Sequence, residues 1–371
     1  MGSPRARLVE LARFFGRLSL TAFGGPAAHI ALMHREVVEG RGWLTDAEFL
    51  DLVGASNVIP GPTSTEVAIY VGRRRAGIAG LVVAGLAFIL PAAAVVGVLA
   101  WVYVRHGTTP ALDSAFEGIK PVVLAVVALA VVQLGRTAVK SPTLAVIGAA
   151  VLALYVAGLD EPVLLLAAAA VAAVVALRPR LMTAPFLLPV LLGGTAAGGD
   201  AGLLRIAAVF LKIGALLFGS GYVLLAFLQR DLVQSGGLLT QDQLLDAVAI
   251  GQFTPGPLFT TATFVGYLLA GTAGAVVATV AIFLPSFVFV AALDPLVARM
   301  RRSPTTAAAL DGLNVAAVAL MAGVTWVLAK DAIVDVPTAL VAATAAAVLW
   351  RWRINAVWLV AAGAAFGLVA R

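Results

Sequence analysis

The sequence predicts an all-α polytopic membrane protein made of two inverted-topology repeats, and three observations carry that expectation. First, 61% of the 371 residues are hydrophobic, 12% are charged and the mean hydropathy is +1.03, more apolar surface than one water-soluble core could hide. Second, Pro60-Gly61-Pro62 recurs as Pro255-Gly256-Pro257, 195 residues later, and the surroundings recur with it. Third, the positive charge of equivalent loops is reversed between the two copies. Copy one has Arg73, Arg74 and Arg75 where copy two has Tyr267, Leu268 and Leu269; one loop later copy one has Arg105 alone, while copy two has Arg299, Arg301 and Arg302. Lys and Arg collect on the cytoplasmic side of membrane proteins, so equivalent loops face opposite sides.

The repeat holds register over a long stretch. At the offset of 195, Arg17 meets Lys212, Phe23-Gly24 meets Phe218-Gly219, Arg35-Glu36 meets Arg230-Asp231, Thr45 meets Thr240 and Asp51 meets Asp246. One residue is lost after the triplet, so Gly77, Gly80, Pro91 and Arg105 match Gly271, Gly274, Pro285 and Arg299 at 194, and Glu117 to Lys120 match Asp311 to Asn314. Repeat one is placed at 1–180, repeat two at 205–371, and 181–204 forms a linker or an extra transmembrane helix.

Taken in order, copy one offers apolar segments at 14–33, 49–72, 77–104, 118–135, 142–157 and 162–177, near the length of about 20 residues that crosses a bilayer core. An even number would leave the copies parallel, so the uncharged stretch 183–199 is recruited as a further crossing. The total is about 12–13 transmembrane helices. The basic start, Met1 to Phe15, resembles the charged region of a signal peptide, but its participation in the repeat argues against cleavage.

The two triplets are the candidate functional elements. Thr45 with Glu48, and Thr240 with Gln243, have the spacing of capping boxes, each opening a helix that runs toward a proline. Proline lacks the N–H and disfavours helix in the residue before it, so each helix must stop inside the apolar region. A second half-helix then begins at Thr63, Ser64, Thr65 and Glu66, or at Thr260, Thr261 and Thr263. The first amides of a helix have no intrahelical partner and carry partial positive charge, so with these hydroxyls they form a candidate anion cradle. Broken helices at corresponding positions of inverted halves point to a transport site. The substrate-binding candidates are Gly24, Gly25, Pro60, Gly61, Pro62, Thr63, Ser64, Gly219, Ser220, Pro255, Gly256, Pro257, Thr260 and Thr261, with Arg17 and Lys212 as cations that could attract the anion. Gly61 and Gly256 are expected to let the backbone approach the ligand. Glu66 leads the proton-coupling candidates, followed by Asp51, Asp246, Glu117 and Asp311, because ionisable groups within a membrane are costly unless they serve a function.

Other classes are excluded by what the chain lacks. With no Cys and only His29, His34 and His106, neither disulfides nor a metal site is expected, and no cofactor motif is present. No nucleophile and base pattern suggests an enzyme. The net charge of +6 sits at helix ends, as topology requires, rather than marking nucleic-acid binding. The expected partners are the lipid bilayer and a small anion, and a homodimer is compatible with these features.

The segments FGGPAAHIALMHREVV, NVIPGPTSTEVAIYVGRRRAGIAGLVVAGLAFILP, FGSGYVLLAFLQRDLV, TPGPLFTTATFVGY and LDGLNVAAVALM resemble the chromate ion transporter family in its long, two-domain form, across both halves of the chain. That resemblance implies efflux of chromate across the plasma membrane, driven by the proton-motive force. The residues themselves support an anion-selective carrier and leave open a carrier for sulfate or another oxyanion, or a channel-like anion pore.

Overall fold

The computed structural model describes residues 3–23, 25–106, 109–177, 202–218, 223–234, 236–300, 303–352, 354 and 356–370. Among them are fourteen helices and no strand. In the first unit these are α1 (Pro4–Thr21), α2 (Gly25–His34), α3 (Asp46–Ser56), α4 (Thr63–His106), α5 (Pro110–Ala138), α6 (Pro142–Val156) and α7 (Glu161–Leu177). The second unit repeats the order with α8 (Leu203–Leu216), α9 (Leu224–Leu228), α10 (Gln241–Phe253), α11 (Thr261–Met300), α12 (Pro304–Ala332), α13 (Val336–Trp352) and α14 (Ala356–Ala370). A short π-helical turn follows both α2 and α9, at Arg35–Gly40 and Gln229–Gln234. The stretch 183–199 lies outside the described residues.

The two longest helices are each bent double. Gly77 (φ 62°) and Gly271 (φ 57°) adopt a left-handed conformation that favours glycine, and the chain reverses there. The arms then pack with almost no space between them. A Cβ on Gly72 would stand 2.3 Å from the Gly80 carbonyl oxygen, and one on Gly266 would stand 2.3 Å from that of Gly274. Small residues at such contacts let membrane helices approach closely.

Ion pairs at the ends of these helices establish the topology. Glu10, near the start of α1, pairs with Arg41 just before α3 (3.5 Å) and with Arg75 at the bend of α4 (3.1 Å), while Arg41 also reaches Glu36 after α2 (3.7 Å). The open ends of α1, α2, α3 and the first arm of α4 therefore lie on one side. This corrects the reading of 14–33 and 49–72 as spans: each is a re-entrant hairpin that enters and leaves on the same face. A broken apolar segment has the same length and composition whether it crosses or returns. Among the described residues, the helices long and apolar enough to cross are the two bent ones, α4 and α11, together with α5 and α12, and α6, α7, α13 and α14 are shorter apolar helices.

The units are inverted with respect to each other. The first arm of α4 runs alongside the second arm of α11 in the same direction, with Glu66 beside Ser286 and Arg73 donating to the carbonyls of Val290 and Ala291. Since the arms of α4 are themselves antiparallel, the equivalent second arms of α4 and α11 run in opposite senses. The units also interlock. The helix α14 packs on α5 and α7 packs on α12, and a Cβ on Gly118 would lie 2.1 Å from the Gly363 oxygen, just as one on Gly312 would lie 2.5 Å from the Ala168 oxygen.

Candidate functional site

Both Pro-Gly-Pro triplets interrupt their helices as the sequence predicts. The capping boxes are formed in full: the Thr45 amide donates to Glu48 (2.8 Å) and the Glu48 amide to Thr45 Oγ1 (3.3 Å), matched by Thr240 and Gln243 at 2.9 and 3.1 Å. Hydrogen bonds from the Thr45 backbone and hydroxyl hold the Glu48 carboxyl below the ordinary carboxylate range. The helix opened by Thr45 ends at Ser56, the one opened by Thr240 ends at Phe253, and helix resumes at Thr63 and, after a 3-10 turn, at Thr261.

At the breaks each unit supplies the other's missing backbone partner. The Gly61 amide donates to the Leu217 carbonyl just after α8 (2.8 Å), and the Gly256 amide donates to the Ala22 carbonyl just after α1 (3.0 Å). The donors and the acceptors are both 195 residues apart, so the two bonds are one bond repeated by the inverted symmetry. Irregular backbone at membrane depth is tolerated only where such partners exist.

The side chains around the breaks are not symmetric. At the first, Glu66 is wholly buried and its Oε1 accepts a long hydrogen bond from Ser286 of the other unit (3.4 Å). A Cβ on Gly61 would stand 2.3 Å from that Oε1 and 2.4 Å from the Ser286 hydroxyl. Among the described residues, Glu66 Oε2 and the buried Thr65 hydroxyl have no hydrogen-bond partner. At the second break, Thr260 and Thr261 turn their hydroxyls onto the Pro257 and Leu258 carbonyls (2.8 Å each), and a Cβ on Gly256 would meet the Ala92 side chain at 2.6 Å and the Ser19 carbonyl at 2.9 Å. His29 lies there too, with Nε2 3.1 Å from the Ala22 carbonyl and its ring edge-on to Phe88.

Several predicted site residues have a different setting from the one expected. The amides of Thr65 and Glu66 return to the Pro62 carbonyl and that of Thr260 to the Pro257 carbonyl, so in this conformation these three donors of the cradle are engaged by protein groups. Close packing against side chains and backbone already demands glycine at 61 and 256, whatever approaches them. Arg17 is 61% exposed and pairs with Glu36 (3.1 Å), and Lys212 is 22% exposed and pairs with Asp231 (2.5 Å). These pairs are again equivalents at 195 residues, so both cations hold an end of their own unit's hairpin. Asp51 and Glu117 are exposed, Asp246 is buried and accepts from Tyr103 (2.7 Å), and Asp311 pairs with Lys140 (2.6 Å). Of the acidic candidates, Glu66 alone adjoins a break glycine. Gly25 (φ 78°) opens α2, whereas Gly24, Gly219 and Ser220 lie outside the described residues. Ser64 and Thr63 begin the first arm of α4, Ser64 buried and Thr63 partly so, and Pro60, Pro62, Pro255 and Pro257 flank the two glycines as expected. Sequence reasoning missed Ser19, His29 and Ser286. Ser286 directly follows Pro285 in an otherwise apolar run, the one signal that could have flagged it.

The chromate transporter family profile matches residues 9–174 and 204–368. The chain belongs to the chromate transporter family. It is 36% identical to the chromate transport protein of Cupriavidus metallidurans over 99% of this chain and 94% of that one. It is 31% identical to a probable chromate transport protein of Synechococcus elongatus, over 94% of this chain and 91% of the relative. The chromate transport protein of Pseudomonas aeruginosa is 33% identical over 99% and 93% of the two chains. No solved structure matches it. As a chromate transporter family member it is a multi-pass membrane transporter and not an enzyme, and the two family matches fall on the two inverted units.

Proposed function

We propose that this protein exports chromate, or a tetrahedral dianion of like size and charge, across the plasma membrane at the expense of the proton-motive force, with Glu66 as the group that carries the proton. One observation supports this reading above others: a fully buried carboxyl, which takes its hydrogen bond from the Ser286 hydroxyl and not from a cation, sits against Gly61 at a helix break, and one of its oxygens has no partner among the described residues. Ionisable groups placed this way in transport proteins commonly form proton relays. Gaining or losing a proton there changes the charge within contact distance of the Pro-Gly-Pro backbone. That backbone is tied to the other unit through Leu217, so the change reaches the joint between the two halves. The oxyanion would bind near the breaks once the units move enough to release their amides, and such rocking of inverted units is the usual form of alternating access.

The experiment is radiolabelled chromate flux in proteoliposomes, with and without an imposed pH gradient and with sulfate as competitor. Gradient-driven chromate flux in the native protein, and gradient-independent flux in Glu66→Gln, are expected. Full coupling in Glu66→Gln would remove Glu66 from this role. Sulfate moving as well as chromate would widen the substrate to tetrahedral dianions generally.

A further inference from the structure

A cavity of about 570 Å³ adjoins the first break. Its floor is formed by Asn57 and Val58, the residues leading into Pro60, and its walls by the end of α5 and the start of α12. Thr137, Lys140, Asp311 and Asn314 supply polar lining. Lys140 follows α5 on the side to which its neighbours Arg73, Arg74 and Arg75 assign the bend of α4, because the second arm of α4 crosses away from that side and α5 crosses back.

We infer that this cavity is the anion's access vestibule on the Arg-rich side, and that Lys140 is the residue that holds a tetrahedral dianion there in competition with Asp311. The volume lies in the range of small-ligand sites, roughly 300–1,000 Å³, and exceeds what a bare tetraoxyanion fills, so the ion sits there with part of its water shell. Two amide side chains, Asn57 and Asn314, offer hydrogen bonds that a hydrated dianion can accept. The charge arrangement sets the selectivity. Asp311 neutralises Lys140 at 2.6 Å when the vestibule is empty, and an incoming dianion must displace that carboxylate from the ammonium. A monoanion of single charge gains less from the exchange than a dianion does. The pair joins α5 to α12, one helix from each unit, so occupying the vestibule loosens a link between the units. Equivalence does not extend this far: the position 194 residues after Lys140 is Val334, so the second unit has no matching ammonium there.

The inference rests on the proposed oxyanion transport, and its test separates the two. Because the chain has no Cys, Thr137→Cys places one thiol in the cavity wall, with Ala307→Cys as the alternative position should the first variant fail to insert. A membrane-impermeant anionic thiosulfonate is applied to vesicles of each orientation, with molybdate as protecting ligand because this tetrahedral dianion, unlike chromate, does not oxidise thiols. Labelling from the Arg-rich side alone is expected, slowed at least fivefold by molybdate, with protection lost in Lys140→Gln. Labelling from the opposite side only, or no protection by molybdate, would overturn the assignment whether or not transport occurs. In flux assays, Lys140→Gln should raise KM about tenfold and Asp311→Asn should lower it, with kcat changed less than twofold in both. If both substitutions raised KM alike, the pair would be a structural link and Lys140 would have no ligand to hold. A native protein that moves no tetrahedral dianion, yet shows molybdate protection, would sink the proposed transport and leave the vestibule standing.

Discussion

The first and second helix breaks share one backbone and differ in chemistry. Each is opened by a threonine capping box, stopped by a proline, and tied by its central glycine amide to the other unit's carbonyl. Around that common frame, the first break places Glu66 against Ser286, whereas the second places hydroxyls already bonded to their own turn, beside Ala92 and Ser19. The difference teaches that the inverted repeat supplies the helix break twice and the buried carboxyl once. Two equivalent carboxyls would double the charge at the joint, and one is enough to make the halves unequal.

The comparison can be broken most severely where the two breaks agree. Gly61→Val and Gly256→Val should each abolish chromate flux in proteoliposomes, because a β-branched side chain clashes at both sites and resists a positive φ. Membrane insertion, followed by size-exclusion chromatography in detergent, should persist. If only one of the two glycines proved necessary, the cross-ties would not be functional equals.

It is sharpened most where the breaks disagree. Glu66→Gln should remove the dependence of flux on the pH gradient, while Thr260→Val, at the matching turn, should change flux less than about threefold, since its hydroxyl only satisfies a local carbonyl. Coupling lost equally in both variants would show that the asymmetry carries no mechanism.

Smaller effects follow from the matched ion pairs. Lys212→Ala exposes a half-buried Asp231 and should destabilise the detergent-solubilised protein by about 1–3 kcal/mol. Arg17→Ala, at a mostly exposed pair, should cost only about 0–1 kcal/mol. Melting curves followed by tryptophan fluorescence measure both. Neither should alter apparent affinity for the anion, and a rise in KM in either would restore these cations to the transport path. The smallest predicted contrast lies between the capping threonines. Thr45→Ala and Thr240→Ala should each lower stability by about 1 kcal/mol and differ little, because the two boxes have the same geometry.

Much of the scaffold was legible in the sequence because it is written locally. A capping box is three residues of spacing, a Pro-Gly-Pro stop is contiguous, and the 195-residue offset lines up Arg17 with Lys212 and Glu36 with Asp231 without any three-dimensional knowledge. What remained hidden depends on neighbours remote in the chain. Nothing local distinguishes a re-entrant hairpin from a span at 49–72, since the direction after the break is fixed by Glu10 gripping Arg41 and Arg75. Likewise Arg17 and Lys212 have the right residue type for an anion site, and their engagement appears only when the hairpin returns Glu36 and Asp231 to them. The crowding at Gly61 was hidden for the same reason, because the atoms that crowd it belong partly to Ser286, 225 positions away.

The reciprocal bonds from Gly61 to Leu217 and from Gly256 to Ala22 also bear on how such a molecule can be assembled. Neither half closes its own backbone, so a lone half would carry an unmatched glycine amide and an unmatched carbonyl into the lipid. The peptide link between them contributes none of these contacts. Two separately translated halves should therefore find each other and complement in trans, whereas either one expressed alone should be cleared by the cell's membrane proteases.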